Sequence, residues 1–502
     1  MPFSRSSGIL LHPTSLPSRF GIGDLGPEAR RFVDFLAASG QQLWQVLPLG
    51  PTGFGDSPYM CFSAMAGNPL LISLEVLRDR GLLDRADLDA LPAYPAVAVD
   101  YGRVIQEKFP LLRKAWLRFR AQAADEERGG YEAFCRAAAH WLDDFALFMA
   151  LKEHYKGRPW VEWTKPLIKR TPDALGRARR KHAETMDFHR FLQFEFHRQI
   201  ADLKAYANQR HIKLIGDLPI YVAHDSAEVW AQPGYFDINH DTGRPYAVAG
   251  VPPDYFSATG QLWGNPLYAW DKLQADGYEW WVKRFKALLD YVDAVRIDHF
   301  RGFEAYWRVP YGEKTAVNGA WVKGPGEALF KRMYERLGDL PVIAEDLGVI
   351  TPEVEALRDG FKLPGMKILQ FAFGSGDDNP YLPHNYQPNC VVYTGTHDND
   401  TTQGWFRSLA EAERAVVLEY LKSDNPAEIH WDMIGLAFAS AAEMAIIPLQ
   451  DLLGLGAEAR MNTPSKGQGN WAWRFAPGSL TAELQDRLLG LTEASGRRFA
   501  DA

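Results

Sequence analysis

Three short apolar runs, Ala294-Val-Arg-Ile-Asp298, Pro341-Val-Ile-Ala-Glu345 and Val391-Val-Tyr-Thr-Gly-Thr-His-Asp398, each close on a carboxylate. Runs that are apolar at successive positions read as parallel strands covered on both faces. Helical crossovers bring the C-terminal ends of such strands to one edge, and in barrels and open α/β sheets that edge carries the active site. The pattern predicts an α/β chain in which Asp298, Glu345 and Asp398 gather in one pocket.

The rest of the chain alternates in the same way. Ile9 to His12 and Leu43 to Leu49 read as the first two strands, separated by PEARRFVDFLAAS, which has helical periodicity and stops at Gly40. Lys213 to Ile220 and Lys367 to Phe373 add two more, and Arg460-Met-Asn462 is the candidate for the eighth. Eight parallel strands with intervening helices make a (β/α)8 TIM barrel, with the acids on strands four, five and seven. Two long gaps, residues 57–205 and 224–285, are expected to be insertions, the first mainly helical. The second contains AGVPPDYFSATGQLWGNPLYAW, residues 249–270, whose glycines, prolines and aromatics suggest an irregular loop that covers substrate. At 502 residues and 46% hydrophobic, the chain can form one elaborated catalytic unit.

Composition removes several function classes. The 55 basic and 63 acidic residues give a net charge of −8 with both signs interleaved, so no basic stripe awaits a nucleic acid. Cys61, Cys135 and Cys390 are far apart and include no CxxC pair, which argues against a disulfide framework or a zinc site and fits a reducing cytoplasm. The apolar run near the N-terminus is cut by His12 and Pro13, too short for a signal segment or a membrane span, so a soluble, unexported protein is expected. Gly53-Phe-Gly55 lacks the full dinucleotide fingerprint, and no loop has EF-hand spacing; neither cofactor nor metal is expected.

The acids carry the chemistry. Breaking an acetal link between sugars takes one carboxylic acid to protonate the leaving oxygen and one carboxylate to stabilise or attack the oxocarbenium-like centre. Arg296 lies two residues before Asp298, on the same strand face, where its cation is expected to hold Asp298 ionised and fit for attack. Glu345 has no cation beside it in sequence and sits near other carboxylates, so it is expected to keep its proton as a general acid. His299 and His397 flank the acids and are expected to serve packing or sugar hydroxyls rather than a metal. On residues alone, an enolase-like reading stays open, in which the three acids hold Mg²⁺; no strand-end lysine pair supports it.

LLHPTSLPS, LPLGPTGFGDSPY, GDLPIYV, GVPPDYFSATGQLWGNPLY, RIDHFRGFEAYW, AEDLGVITPEVEALR, YTGTHDNDTTQGW and GNWAWR together resemble the amylomaltases, the 4-alpha-glucanotransferases of glycoside hydrolase family 77 in the α-amylase superfamily, over about residues 8–475. The resemblance implies a barrel with inserted subdomains and a retaining double displacement on α-1,4-glucans, whether maltooligosaccharides or chains from starch or glycogen. A monomer or weak oligomer without a cofactor is expected. By motif position, Asp298 resembles the nucleophile, Glu345 the acid/base and Asp398 the carboxylate that grips sugar hydroxyls. Arg296, His397 and Asp217 resemble the sugar-contacting shell, and Asp56, Ser57, Tyr59, Asp254, Trp263 and Asn470 further subsite contacts. Phe54 departs from the family pattern, where tyrosine is frequent; with Tyr101 it resembles an outer glucan platform that keeps ring stacking but loses a hydroxyl. An α-amylase-type hydrolase and a barrel that only binds glucan remain as rival readings.

Overall fold

The computed structural model describes residues 4–253 and 257–499. Its strands, in chain order, are β1 (Ser6–Leu10), β2 (Leu43–Gln45), β3 (Lys213–Pro219), β4 (Ala247–Val251), β5 (Gln261–Pro266), β6 (Ala294–Asp298), β7 (Ala305–Pro310), β8 (Ala320–Lys323), β9 (Val342–Ala344), β10 (Gly365–Ile368), β11 (Cys390–Tyr393) and β12 (Met444–Pro448). Eight of them form one parallel sheet in the order β10-β11-β12-β1-β2-β3-β6-β9. The Ala344 N–H donates to Pro364 O at 2.9 Å, which brings β9 against the start of β10 and curls the sheet into a (β/α)8 barrel.

Local chemistry explains the first βα unit. Pro27 opens the helix Pro27–Ala38 at a position where its missing N–H is not needed, and Ala29, Phe32, Val33 and Leu36 pack inward. The helix ends where Gly40 takes φ +74°, which lets the Gln41 N–H return to Leu36 O at 2.8 Å. Phe32 then meets Trp44 of β2 edge-on, with ring centroids 5.0 Å apart.

Seven strands overlap the segments expected from sequence, most of them shorter, and β1, β10 and β11 begin earlier than expected, at Ser6, Gly365 and Cys390. The eighth does not: the barrel closes through Met444–Pro448, which pairs with both β11 and β1, whereas Arg460–Asn462 lies in a loop above the C-terminal edge. The physical reason is that β12 follows an almost wholly apolar helix, Ile429–Ala439, with only Ser440 to Glu443 between them, so no change of period marks the strand.

Between β2 and β3 stand the long helices Tyr101–Gln122, Asp125–His154 and Ala183–Asn208. The last is tied to the barrel where Lys204 Nζ donates to Val292 O at 2.8 Å and Asn208 Nδ2 to Asp293 at 2.9 Å. Among the described residues of 249–270, those of 249–251 and Gln261–Pro266 are strand rather than irregular loop. They form much of an antiparallel hairpin, β4–β5, which β7 and β8 extend to a second sheet in the order β5-β4-β7-β8. No helix among the described residues is long and apolar enough to cross a membrane, and no group of three described His, Cys, Asp or Glu side chains is placed to hold a metal.

Candidate active site

Strand register builds the site. Ile297 of β6 lies opposite Ala344 of β9, so the next residues, Asp298 and Glu345, leave adjacent strands side by side at a spacing of about 4.8 Å. Asp217 of β3 lies opposite Arg296 of β6. Arg296 is buried in the barrel mouth and spans two carboxylates: Nη1 donates to Asp217 Oδ2 at 2.6 Å and Nη2 to Asp298 Oδ1 at 3.0 Å. The Tyr59 hydroxyl donates to the same Asp217 oxygen at 2.7 Å, and the Tyr59 ring stacks on His397 with centroids 5.2 Å apart. A continuous chain of contacts therefore runs from His397, next to Asp398, to Asp298.

Each of the other two acids is held by its own device. His299 adopts a left-handed conformation, φ +55°, and its N–H donates to Glu345 Oε2 at 2.7 Å, while the Leu347 N–H donates to Oε1 at 2.8 Å. Asp398 Oδ1 accepts from Asn462 Nδ2 at 2.6 Å, and the Asp398 carbonyl accepts from Arg460 Nη2 at 2.6 Å. The loop expected to be a strand thus serves as the clamp on the third acid.

Burial sets the protonation. It pushes Glu345 up to about 7; Arg296 and the two N–H donors pull down, and the Asp298 charge pushes further up. Asp298 is pushed up to about 6, again by burial first, with Arg296 opposing. Arg296 therefore favours the ionised form, as expected from sequence, but does not outweigh desolvation. The Asp298 side chain keeps 29% of its exposure, so water in the cleft offsets part of that cost. Near neutral pH the arrangement supplies one carboxylate that loses its proton more readily and one that keeps it longer. Burial and Asp217 push the Tyr59 hydroxyl well up, so it stays a neutral donor, and burial lowers His299 to about 3, so its ring is neutral.

The remaining expected contacts separate by position. Trp263 of β5 meets the His299 ring edge-on at 4.8 Å, which brings the second sheet over the residue that follows Asp298. Asp56 and Ser57 sit in the turn before Tyr59, and Ser57 Oγ accepts the Tyr59 N–H at 3.2 Å. Asn470 spends both ends of its amide on the loop, accepting from the Thr463 N–H at 2.9 Å and donating to Lys466 O at 2.8 Å. Phe54 is 79% exposed, but Tyr101 is only 8% exposed, packed with Ile22, Leu70 and Val104, and its hydroxyl donates to Trp471 O at 2.9 Å. Of the two rings expected to share a platform, only Phe54 offers a face to solvent. Asp254 lies outside the described residues.

The geometry also adds groups that sequence reasoning missed. Sequence reasoning placed Arg460 and Asn462 in the eighth strand and gave neither a role at the site. Trp471, whose ring lies 5.7 Å from Tyr59 and 6.0 Å from His397, stood in a quoted motif where only its neighbour Asn470 was singled out.

A glycoside hydrolase family 77 model described as 4-alpha-glucanotransferase matches residues 11–481. The chain belongs to the 4-alpha-glucanotransferases. This 4-alpha-glucanotransferase is 55% identical over 497 residues to the 4-alpha-glucanotransferase of Synechocystis, covering 99% of this chain and 98% of the relative. It is 53% identical over 504 residues to that of Thermus thermophilus, covering 99% of this chain and all of the relative. Among solved structures, the amylomaltase from Streptococcus agalactiae in complex with acarbose superposes with a TM-score of 0.95 at 40% identity, over 99% of this chain and 100% of that one. Corynebacterium glutamicum amylomaltase shares the fold at a TM-score of 0.80 and 18% identity, over 99% of this chain and 75% of that one.

Proposed function

We propose that this 4-alpha-glucanotransferase moves α-1,4-glucan segments to the 4-hydroxyl of an acceptor glucan or glucose by a retaining double displacement. The observation that carries the reading is the pair Asp298 and Glu345 on adjacent strand ends, with different environments and proton affinities. Asp298 attacks the anomeric carbon with the oxygen that Arg296 leaves free, and Glu345 gives its proton to the departing 4-oxygen. Glu345, now a carboxylate, then takes the proton of the incoming 4-hydroxyl as the new bond displaces Asp298; two inversions give net retention. Asp398, fixed by Asn462 and Arg460, accepts hydrogen bonds from sugar hydroxyls at the reacting unit.

In this reading Tyr59, His397, Arg296 and Asp217 shape the innermost sugar site, and Asp56, Ser57, Trp263, Asp254 and Asn470 contribute further contacts. Phe54 provides an outer stacking face, with Tyr101 behind it. Sugar outcompetes water only if the acceptor hydroxyl is held near attack geometry, an effective-molarity advantage that can reach about 10⁵ M. Residues 57–205 and 224–285 are insertions on a single catalytic unit, and the hairpin that carries Trp263 covers the bound chain and excludes water. The substrate class is maltooligosaccharide and starch- or glycogen-derived glucan, handled by a monomer or weak oligomer in the cytoplasm.

Incubation with maltotriose tests the reading. Transfer yields glucose and a ladder of longer oligomers at constant total reducing ends. A rise in reducing ends would make the chain a hydrolase, and no product at all would leave a glucan binder. Asp298→Asn is expected to abolish turnover while glucan still binds; surviving activity would remove the nucleophile assignment.

A further inference from the structure

The second sheet has two unlike faces. Ala247 and Ala249 of β4 pack into the main core, whereas Val248 and Val309 face the other way and form a small cluster of their own with Ala316 of the β7–β8 connection, against which Trp307 packs. Ala247 lies opposite Pro310 and Val248 opposite Val309. The same register sets Tyr246 opposite Tyr311, and the Tyr311 N–H donates to Tyr246 O at 3.1 Å. Residues directly opposite in an antiparallel pair project to the same side with Cβ atoms about 5 Å apart. Extending the strand alternation by one residue assigns both tyrosines to the outward side, with Val248 and Val309, and they stay 57% and 52% exposed. Val317 of the β7–β8 connection is also exposed. Farther along the same face, Leu262 lies opposite Gly250 and Trp321 opposite Trp307, and both are exposed.

We infer that this face is a second glucan-binding surface, with Tyr246 and Tyr311 as paired stacking rings for neighbouring sugars of one chain. The inference rests on the glucan reading above. Size argues against a second protein copy: five half-exposed side chains of about 150–250 Å² each offer on the order of 500 Å², short of the roughly 800 Å² per subunit of a standard interface. Chemistry argues for sugar: paired tyrosine rings with wet hydroxyls match the apolar face and hydroxyl rim of a pyranose. Trp263, next to Leu262 on the edge strand β5, lies on the opposite face of this sheet against His299, so a chain held at both places passes around that edge into the cleft. A long chain bound at both places gains effective concentration at the cleft that a short oligomer does not.

The test is affinity electrophoresis through soluble amylose with Asp298→Asn in every protein, so that the probe is not consumed. Tyr246→Ala/Tyr311→Ala is expected to raise the dissociation constant for amylose about fivefold, the factor that two ring stacks supply at the low end of their range. Tyr246→Phe/Tyr311→Phe retains binding, because stacking needs the ring and not the hydroxyl. In active protein, the Tyr→Ala pair raises the ratio of KM for amylose to KM for maltotriose by a similar factor. Retardation unchanged by the Tyr→Ala pair overturns the surface alone, whereas a parent protein that amylose does not retard overturns it together with the glucan reading. Sedimentation at twice the chain mass, abolished by the Tyr→Ala pair, also overturns it by giving the face to a second copy.

Discussion

Arg296→Gln separates the two carboxylates by their pH limbs. Productive reaction needs Asp298 ionised and Glu345 protonated, so kcat/KM rises through the Asp298 pKa, about 6, and falls through the Glu345 pKa, about 7. Arg296 contacts Asp298 at 3.0 Å and is the largest influence lowering both groups. Unit charges about 4 Å apart interact by about 1 kcal/mol in water and about 4 kcal/mol at the dielectric of a protein surface. With the Asp298 side chain 29% exposed, the lower half of that range applies, so removing the cation raises its pKa by about one unit. Glu345 makes no hydrogen bond to the guanidinium and moves less, so the bell narrows from its acidic side. The expected outcome for maltotriose disproportionation, followed by glucose release, is an acidic limb near 7 and about a fivefold loss of kcat/KM at pH 6. Arg296→Lys keeps the charge without the fork and restores part of the limb. An acidic limb that stays at 6 or moves down in Arg296→Gln, in protein whose melting shows it folded, would refute the electrostatic account of the site.

Glu345→Gln should trade activity for stability. The folded-state pKa of Glu345 is raised from 4.5 to about 7, so the folded state binds the proton more tightly and the parent loses up to about 3 kcal/mol as pH rises from 4.5 through 7. Glutamine has no such loss, and the variant's advantage in urea midpoint is expected to grow from pH 4.5 to pH 8; an advantage that shrinks over that range contradicts the burial argument. Asn462→Ala frees Asp398 Oδ1 from its 2.6 Å donor, and because water reaches this half-exposed acid the expected loss in kcat/KM is about five- to tenfold with both pH limbs in place; unchanged steady-state kinetics would remove the clamp. Trp263→Ala opens the hairpin above His299 and is expected to raise reducing ends released per glucose transferred; an unaltered ratio would take the hairpin out of the water-exclusion argument.

Much of the barrel was legible because a buried parallel strand leaves a run of apolar residues, and a functional strand end leaves an acid after it. Ala294 to Asp298 and Val342 to Glu345 carry both marks, and their register alone brings the two acids together. The strand Met444–Pro448 left no mark, since the residues before it are as apolar as the strand itself. The second sheet was hidden for a different reason: β4 finds its partner β7 beyond the whole of β6, and no local pattern records a pairing at that distance. At the site, sequence named the acids but not their holders. The left-handed turn at His299, the Asn462 amide and the dominance of burial over the Arg296 charge are properties of three-dimensional proximity.

The central claim is that Asp298 forms a bond to the sugar while Glu345 manages the proton. Glu345→Gln incubated with α-maltotriosyl fluoride isolates the two steps, because fluoride departs without a proton donor whereas release of the glycosyl group needs the missing base. Digestion and mass spectrometry are expected to find a maltotriosyl adduct on the peptide containing Asp298. An adduct on any other residue, or fluoride released with inverted product and no adduct, would contradict the account.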